Sequence, residues 1–328
     1  MSKALAMISG GLDSILAAKL IKEQGIEVIG ICFQSYFFKA NNAIRMCEQI
    51  QIPLKVVDFS KHHFDMVQNP KYGYGKNMNP CIDCHSMMMN YCGDLLSQYK
   101  ADFIITGEVL NQRPMSQNKR SLEIVKNQSG FSNKILRPLC AKNLEPTEME
   151  LNGLVNRDKL LDISGRSRQR QMELAKQWNI IDYPSPAGGC KLTEPNFSAR
   201  LKDLIQNEKE IDESNIEILN YGRHFRVFPG TKVIVGRTAD ESKKLRKYMK
   251  NNDFEIFPRN FSGALVILRG VINEDTIKIA ASLSARYCRG NKEEELEIKY
   301  KKYSTSKYSF TTVAPISLEE INKYSINK

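Results

Sequence analysis

Apolar residues in the first 110 positions follow two alternating patterns: short continuous runs, and segments with an apolar residue every three or four positions. The runs predict β-strands and the spaced segments predict helices. Strands are expected at residues 4–9, 27–33, 54–59 and 103–107, and helices at 12–23, 41–50 and 86–98. This alternation predicts an α/β fold with a doubly wound parallel sheet, whose ligands bind at the carboxyl ends of the strands.

The later pattern predicts a second, smaller α+β domain. Residues 60–80 are rich in glycine and proline and predict a long loop, whereas 144–175 predict a helix in two pieces divided near Gly165. After a helix at 197–206, a polar stretch gives way to short strands and one basic helix. We therefore expect domains at 1–206 and 207–302, followed at 303–328 by a basic tail with the composition of a disordered segment.

Composition excludes several classes of protein. The chain is 41% hydrophobic and 26% charged, which is typical of a globular protein rather than a disordered or collagen-like one. No uncharged run approaches the roughly 20 residues that span a bilayer, and the N-terminus lacks the pattern of a signal peptide. We expect a cytoplasmic protein with no membrane partner and with reduced cysteines. The net charge of +11 favours a polyanionic partner.

A glycine pair stands between the first predicted strand and the first predicted helix, in the sextet Ser9-Gly10-Gly11-Leu12-Asp13-Ser14. Glycines allow a tight turn, and the amides at a helix start favour phosphate. Ser9 and Ser14 can donate hydroxyl hydrogen bonds, and Asp13 is a candidate Mg²⁺ ligand. The sextet is neither a Walker A loop nor a GxGxxG fingerprint.

The chain has eight cysteines, of which three lie in irregular segments. Cys81 and Cys84 form a CxxC pair after the long predicted loop, and Cys190 lies in a second stretch rich in glycine and proline. Three interpretations are open. The trio holds a [4Fe-4S] cluster, which is favoured; a pair of the cysteines works through a persulfide; or His85 joins the trio as a fourth Zn²⁺ ligand. The other cysteines are expected to be packing or surface thiols.

The SGGLDS sextet resembles the phosphate loop of the N-type (PP-loop) ATP pyrophosphatases. That resemblance implies the adenine nucleotide alpha hydrolase-like fold and cleavage of ATP between its α and β phosphates. It implies that Ser9, Gly10, Gly11, Asp13 and Ser14 hold the pyrophosphate end. It also implies that Cys32 and Phe33, at the end of the second strand, lie near adenine.

The segment TGEVLNQRPMSQ at residues 106–117 resembles that of the tRNA 4-thiouridine synthases, while NPCIDCH and GGCKLTEP resemble the motifs of cluster-dependent tRNA thiolases and 2-thiouridine synthases. The likeness implies that Gly107 and Glu108 line the nucleotide pocket, with Gln112 and Arg113 near the adenylated base. Because the longer synthases add an N-terminal RNA-binding domain and a rhodanese-like domain, we expect this chain to bind tRNA in a different way. We also expect inorganic sulfide or a cysteine desulfurase as the sulfur donor.

Basic residues concentrate in three places that predict contacts with RNA phosphates. Near Tyr221 and Phe225, which with His224 could stack on bases, the segment NYGRHFRV…TKVIVGRTADESKKL resembles the NFACT RNA-binding domain. That resemblance implies that the second half presents tRNA. The candidate RNA-binding residues are Arg113, Arg166, Arg168, Arg170, Arg223, His224, Arg226, Lys243, Lys244 and Lys247.

These features together predict an ATP-dependent tRNA sulfurtransferase that adenylates a uracil carbonyl, releases pyrophosphate and exchanges AMP for sulfur. The expected catalytic residues are Asp13, Lys142 and the three cysteines at 81, 84 and 190, and 4-thiouridine is the favoured product. The alternatives are a wobble 2-thiouridine synthase that uses a persulfide, and an ATP pyrophosphatase that uses ammonia on a small molecule with zinc on its cysteines. A homodimer is one option for the assembly.

Overall fold

The computed structural model describes residues 2–185 and 189–327, and it divides the chain into two compact units, Met1–Thr193 and Glu194–Lys328. The described part of the first unit contains a parallel sheet with strand order β3-β2-β1-β4-β5. Its strands are β1 (Lys3–Met7), β2 (Glu27–Gln34), β3 (Leu54–Asp58), β4 (Phe103–Thr106) and β5 (Ile135–Leu136).

Helices connect these parallel strands, and apolar side chains fill both faces of the sheet. Ala4 and Ala6 belong to one core cluster and Leu5 to the other, as expected for a strand whose successive side chains point to opposite faces. The helices of this unit are α1 (Leu12–Lys22), α2 (Asn41–Ile50), α3 (Ser60–Gln68), α4 (Cys81–Tyr99), α5 (Lys119–Gln128), α6 (Glu148–Leu151) and α7 (Gln169–Gln177).

The strand order reverses between β1 and β4. From β1 the chain continues through β2 to β3 on one side, and it returns to β4 and β5 on the other. Met7 pairs with Thr106, so the loops that follow β1 and β4 leave the same edge of the sheet side by side. Such a reversal opens the crevice in which doubly wound sheets bind their ligands. The predicted fold class is confirmed.

Two segments of the first unit differ from their predictions. The loop expected at 60–80 contains α3, which begins where Asp58 accepts a 2.9 Å hydrogen bond from the amide of Ser60. The long helix expected at 144–175 is mostly irregular, because Gly153 and Gly165 take positive φ angles of 72° and 88° that end helical structure. Within that range the helical residues are those of the short α6, a 3-10 turn at Arg157–Lys159, and most of α7.

The second unit contains a six-stranded antiparallel sheet with order β11-β10-β8-β9-β7-β6. One face of this sheet packs against the helix α11, with Ile256, Ile298 and Leu283 in their shared core. The elements are β6 (Arg223–Phe228), β7 (Thr231–Val235), β8 (Phe254–Pro258), β9 (Val266–Gly270), β10 (Leu296–Lys302), β11 (Ser309–Val313), α8 (Pro195–Asn207), α9 (Glu213–Glu217), α10 (Ala239–Arg246), α11 (Glu274–Arg286) and α12 (Leu318–Tyr324).

The expected domain boundary at 206/207 is displaced to 193/194, because α8 bonds to the second unit. Arg200 donates to the carbonyl oxygen of Leu219 over 2.7 Å, and Asp203 accepts from Arg226 over 2.8 Å. These partners are distant in sequence, so the helical pattern of α8 does not reveal them.

The described part of the tail, residues 303–327, is also structured, contrary to the expectation from its composition. It supplies the edge strand β11 and the helix α12. Its strand is largely exposed, so its sequence is polar, yet Ile316 is buried and Ile321 packs against the sheet core. A short edge element of this kind resembles a disordered segment in composition while its backbone pairs with β10.

Candidate functional site

The glycine sextet forms the turn between β1 and α1, at the carboxyl edge of the sheet. Gly10 adopts φ +79°, and a Cβ there would lie 2.7 Å from the backbone nitrogen of Ala43. Gly107, at the end of β4, packs against the first turn of α1, since its Cβ would lie 2.5 Å from the nitrogen of Ser14. Both positions therefore require glycine, and the two loops are in direct contact.

The serines of the sextet hold the turn together. The hydroxyl of Ser14 donates to the carbonyl oxygen of Gly11 over 2.8 Å and accepts a 3.3 Å hydrogen bond from the amide of Ser9. The hydroxyl of Ser9 accepts from the amide of Gly11 over 3.3 Å. The start of α1 thus forms a compact turn at a helix N-terminus, where the helix dipole favours an anion.

Asp13 is fixed by a chain of two amides. Its Oδ2 accepts a 2.8 Å hydrogen bond from Nε2 of Gln112, whose Oε1 accepts one of 3.2 Å from Gln171. The other carboxylate oxygen, Oδ1, is buried and has no hydrogen-bond partner in the described part of the chain. A buried carboxylate oxygen without a partner is costly, and a bound cation would satisfy it. Gln171, fully buried on α7, was missed by the sequence analysis because nothing nearby marks it.

Cys190 and Cys81 are close enough to Cys84, in the first turn of α4, for their charges to act on it. Burial raises the pKa of the Cys84 thiol well above its usual value, and the nearby Cys190, Cys81 and Asp83 raise it further. Burial also raises the pKa of Cys81, while a hydrogen bond from Asn79 and the charge of Arg113 oppose that rise. Cys81 and Cys84 therefore favour the neutral thiol unless a cationic group lies beside them.

Loop contacts hold Cys190 in place. Lys191 donates its amide to the carbonyl oxygen of Phe37 over 3.0 Å, just after β2. Thr193 donates its hydroxyl to the carbonyl oxygen of Cys190 over 2.7 Å, and Asn77 donates to the carbonyl oxygen of Thr193 over 2.7 Å. Of the irregular stretch predicted at 184–189, residues 186–188 lie outside the described residues.

The segment 107–113 touches both the glycine turn and the cysteine helix. Its Gly107 packs on Ser14 and its Gln112 binds Asp13, as described above. Glu108 pairs with His85, next to Cys84, at 2.9 Å from Oε1 to Nδ1. One short segment therefore joins the glycine turn to helix α4, which begins with Cys81 and Cys84.

Glu108 is a buried residue that pairs with other side chains of the fold, and it does not line an open nucleotide pocket. It is buried and also pairs with Arg137 over 2.8 Å. Burial alone would raise the pKa of this carboxyl, but Arg137 and His85 outweigh it and lower the pKa to about 2. Arg137 is buried too, so it does not belong to the basic surface around it. The sequence reveals neither partner, since nothing local marks a charged residue as paired inside the fold.

Three predicted site residues lie apart from this arrangement. Lys142 is exposed and donates to the carbonyl oxygen of Asp158 over 2.9 Å, and no contact of its side chain with the glycine turn or the cysteines is found among the described residues. The side chains of Cys32 and Phe33 are buried in cores on opposite faces of the sheet. Burial raises the pKa of Cys32 to about 11.

A basic segment flanks the site. Ser164 forms a parallel bridge with Leu110, and Gly165 donates its amide to Leu110 over 2.8 Å. The arginines at 166, 168 and 170 follow directly, and Arg170 pairs with Asp162 over 2.7 Å. This segment therefore lies beside the one that carries the exposed Arg113.

In the second unit, one predicted RNA contact is buried and a second is engaged in an ion pair. His224 is 1% exposed, its Nε2 bonds to the carbonyl of Tyr221 over 2.8 Å, and burial keeps its pKa well below the usual value. It therefore cannot stack on a base. Arg226 is paired with Asp203 over 2.8 Å. Arg223 lies over the ring of Tyr287, and the predicted lysines Lys243, Lys244 and Lys247 are exposed on or just after α10.

The described residues contain no group of three or more His, Cys, Asp or Glu disposed to hold a single metal ion. His85 is engaged with Glu108, so the set of four zinc ligands considered from the sequence is not assembled. The donor set at α4 consists of three thiols, the ligands that iron–sulfur clusters prefer. A cluster offers each thiolate a separate iron and so accepts sulfurs spaced more widely than a single ion does. The other five cysteines are buried.

Two family models match this chain. The model described as "Thiamine biosynthesis protein (ThiI)" matches residues 1–146, and that of the NFACT protein RNA binding domain matches residues 222–325. Residues 1–146 are thus similar to the first family, and residues 222–325 are similar to the RNA-binding domain. The recognition made from the sequence is confirmed, and the second domain extends further into the tail than expected.

Curated relatives of the chain are tRNA-specific 2-thiouridylases. That of Karelsulcia muelleri is 27% identical over 64% of this chain and 56% of its own length. That of Rhizobium leguminosarum bv. trifolii is 32% identical over 34% of this chain and 33% of its own. This chain therefore spans little more than half of the relatives it matches. A 4-thiouridine synthetase solved with RNA and ATP is 15% identical over 55% of this chain and 52% of its own, with a TM-score of 0.35.

Among the described residues, no helix has both the length and the apolar character needed to cross a membrane.

Proposed function

We propose that the protein is an ATP-dependent tRNA sulfurtransferase that converts a uridine to a thiouridine. The observation that carries this proposal is the segment 107–113, which bonds to Asp13 of the phosphate turn through Gln112 and to His85 of the cysteine helix through Glu108. Chemistry that begins on ATP can therefore continue beside the three thiols. The match to the thiamine biosynthesis (ThiI) model and the 2-thiouridylase relatives support the same reaction class.

In the proposed reaction, the phosphates of ATP lie on the turn formed by Ser9, Gly10, Gly11 and Ser14. Asp13, held by Gln112, would offer its unpartnered Oδ1 to a Mg²⁺ ion, which would neutralise charge on the pyrophosphate. The uracil oxygen attacks the α-phosphate and pyrophosphate leaves. Sulfur then takes the place of that oxygen, which departs with AMP. Arg113 and the arginines at 166, 168 and 170 are placed to meet the phosphates of the incoming RNA.

The sulfur-handling site is proposed to be Cys81, Cys84 and Cys190. Three thiolates would hold a [4Fe-4S] cluster and leave one iron without a protein ligand, open to carry sulfide. This choice is supported by the donor set and by the raised thiol pKa values, which a cationic group would reverse. The persulfide alternative needs a thiol of lowered pKa to act as the nucleophile. Cys81 is the candidate, because the charge of Arg113 partly offsets the effect of burial on its pKa.

The position of the thiolated carbonyl is proposed from the TGEVLNQ segment, which favours 4-thiouridine. The relatives described above, which are 2-thiouridylases, instead favour 2-thiouridine. Nucleoside analysis separates the two, because the products differ in chromatographic retention and in absorption.

The test uses the full chain purified without oxygen and reconstituted with iron and sulfide. It is incubated with ATP, Mg²⁺, sulfide and unmodified tRNA, and the digested nucleosides are analysed. The expected result is one thionucleoside with stoichiometric AMP, and its loss in Cys81→Ser, Cys84→Ser and Cys190→Ser. The matched control is Cys92→Ala, a buried cysteine on the same helix that faces the core.

Iron content and visible absorption of the same variants separate the sulfur mechanisms. Each Ser substitution in the trio is expected to reduce bound iron, whereas the Cys92 variant keeps it. Activity without iron, with a persulfide detected on one of the three cysteines, would replace the cluster by the persulfide route. Folded wild-type protein that forms neither AMP nor a thionucleoside from tRNA would refute the proposed function.

A further inference from the structure

The sheet of the second unit has one face that α11 does not cover. Ile256 of β8 and Ile298 of β10 point into the core with α11. Since successive side chains of a strand alternate between faces, Phe257 and Lys299 point the other way. The registers Lys299↔Phe257 and Lys299↔Phe310 place these three residues in one row across β8, β10 and β11.

The next row along the same face continues the pattern. Lys301 pairs with Glu255 of β8, and Tyr308 precedes β11 beside it. At the other end, Arg259 bonds to Glu297 over 2.7 Å. We call this surface the aromatic–basic face; it consists of Arg246, Phe257, Arg259, Lys299, Lys301, Tyr308 and Phe310.

Cations and rings alternate on this face at contact distance. Arg259 lies 4.8 Å from the ring centre of Phe310, and Arg246 lies 5.8 Å from that of Phe257. Lys299 and Lys301 lie 5.4 and 5.3 Å from the ring of Tyr308. The ring of Phe310 is nonetheless 48% exposed, although burial would stabilise so large an apolar group.

A buried carboxylate holds part of this arrangement. Glu255 is 2% exposed and accepts from Arg246 over 2.8 Å and from the hydroxyl of Tyr308 over 2.8 Å. It also pairs with Lys301 over 3.2 Å. Three members of the face are therefore fixed before any ligand arrives, which lowers the entropic cost of binding. The four cations outnumber the two carboxylates, Glu255 and Glu297, so the face keeps a positive charge.

We propose that this domain binds unpaired nucleotides of its tRNA substrate through the aromatic–basic face. Bases stack on the exposed ring of Phe310, and Lys299, Arg259 and Arg246 meet the phosphates beside it. Alternating rings and cations suit single-stranded RNA, since every base has a face that stacks and every linkage carries a charge. The choice of tRNA rests on the proposed function. The main RNA contact is therefore assigned to this face and not to the buried His224 or to Arg226, which is paired with Asp203.

Binding measurements on the full chain test this surface, with a tRNA transcript and a fully paired RNA duplex as probes. Phe310→Ala is expected to weaken tRNA binding about tenfold and to change duplex binding little. Phe310→Leu, which keeps the apolar contact of the edge strand but not the ring, is expected to behave like Phe310→Ala. The control is Phe228→Ala, another exposed phenylalanine of the same domain but on β6.

Salt dependence tests the basic part. Lys299→Ala is expected to reduce the slope of log affinity against log salt by about 1, the effect of one lost phosphate contact. Lys278→Ala removes the same charge from α11, which covers the opposite face, and is expected to leave the slope unchanged. Equal tRNA affinity of wild type, Phe310→Ala and Lys299→Ala overturns the proposal, as does an equal loss in the two controls.

The two proposals fail separately. If the wild type thiolates tRNA while the variants of the face keep its Kd and KM, the face is not the RNA surface and the proposed function stands. If the variants lose tRNA affinity while the wild type forms no thionucleoside, the face is an RNA surface and the proposed function is wrong.

Discussion

Glu108 and His85 lie 2.9 Å apart, Oε1 to Nδ1, and this pair joins the end of a sheet strand to the helix that carries Cys81 and Cys84. The carboxylate is shared with the buried Arg137. The pair therefore helps to fix the position of helix α4 relative to the end of β4.

Glu108 is expected to make stability depend on pH in acid. Its pKa is about 2 in the folded protein against an ordinary value near 4.5. The stabilisation is complete above pH 4.5 and is lost as the pH falls toward 2, because the unfolded chain binds the proton more tightly. At neutral pH it amounts to about 3 kcal/mol. Urea unfolding from pH 6 to pH 3 measures it, and Glu108→Gln is expected to flatten this dependence.

Removing Glu108 also leaves Arg137 buried without its partner. Glu108→Gln is therefore expected to cost about 3–5 kcal/mol at pH 7, and adding Arg137→Met is expected to restore part of that loss. Glu148→Gln, at an exposed carboxylate on α6, serves as the control and is expected to change stability by less than about 0.5 kcal/mol. Identical unfolding of wild type and Glu108→Gln at both pH extremes would show that the pair contributes nothing.

Asp13 and Gln112 are expected to differ in their effects on the ATP reaction. Asp13→Asn removes the cation ligand and is expected to lower AMP formation at least ~100-fold, as for other groups that stabilise transferring phosphate. Gln112→Ala keeps the Asp13 carboxylate but removes the hydrogen bond that orients it, so AMP formation is expected to fall about tenfold. Raising Mg²⁺ is expected to recover part of the activity of Gln112→Ala and none of that of Asp13→Asn. Asp65→Asn, exposed on α3, is the control.

Alanine substitutions at the glycines around the turn are expected to differ in their effect on ATP binding, according to the space available for a Cβ. Gly10→Ala and Gly107→Ala place a Cβ within 2.7 and 2.5 Å of backbone atoms, so both are expected to abolish ATP binding. Gly11→Ala meets only the Ser9 hydroxyl, at 3.5 Å, and is expected to retain measurable binding. Isothermal titration with a non-hydrolysable ATP analogue gives the order. Equal losses at all three positions would contradict a steric origin.

Lys232 of β7 is expected to destabilise the second unit. It is 4% exposed, its Nζ has no hydrogen-bond partner in the described part of the chain, and burial lowers its pKa to about 8 despite Asp203 at 3.4 Å. Asp203 keeps Arg226 as a partner. Lys232→Met is therefore expected to stabilise the protein by about 1–3 kcal/mol at pH 7.

The advantage of Lys232→Met over wild type is expected to shrink as the pH rises from 8 toward 10.5. In this range the folded wild-type protein holds Lys232 neutral while the unfolded chain still binds the proton, so the stability of the wild type increases with pH. Urea midpoints at pH 7 and pH 10 measure the difference. Lys278→Met, at an exposed position of α11, is the control. A variant at Lys232 that unfolds more easily than wild type at pH 7 would mean that the amine contributes net stabilisation.

The sequence by itself determined the first four strands of the parallel sheet and the glycine turn, whereas the two-residue strand β5 was not predicted. Each of these strands reads as one short apolar run because both faces of the sheet are covered, and each helix between them keeps its own period. The turn is equally local, since Gly10 needs a positive φ and Gly107 follows its strand directly.

Only the tertiary structure decided which charged and polar residues lie inside. Glu108, Arg137, His224 and Lys232 look like surface residues in the sequence, because burial of a charge depends on partners brought from distant segments. In the same way, period-two alternation shows that a strand has two faces but not which face a helix covers. The approach of Cys190 to the CxxC pair, and the open face that carries Phe310, depend on long-range packing that no local pattern records.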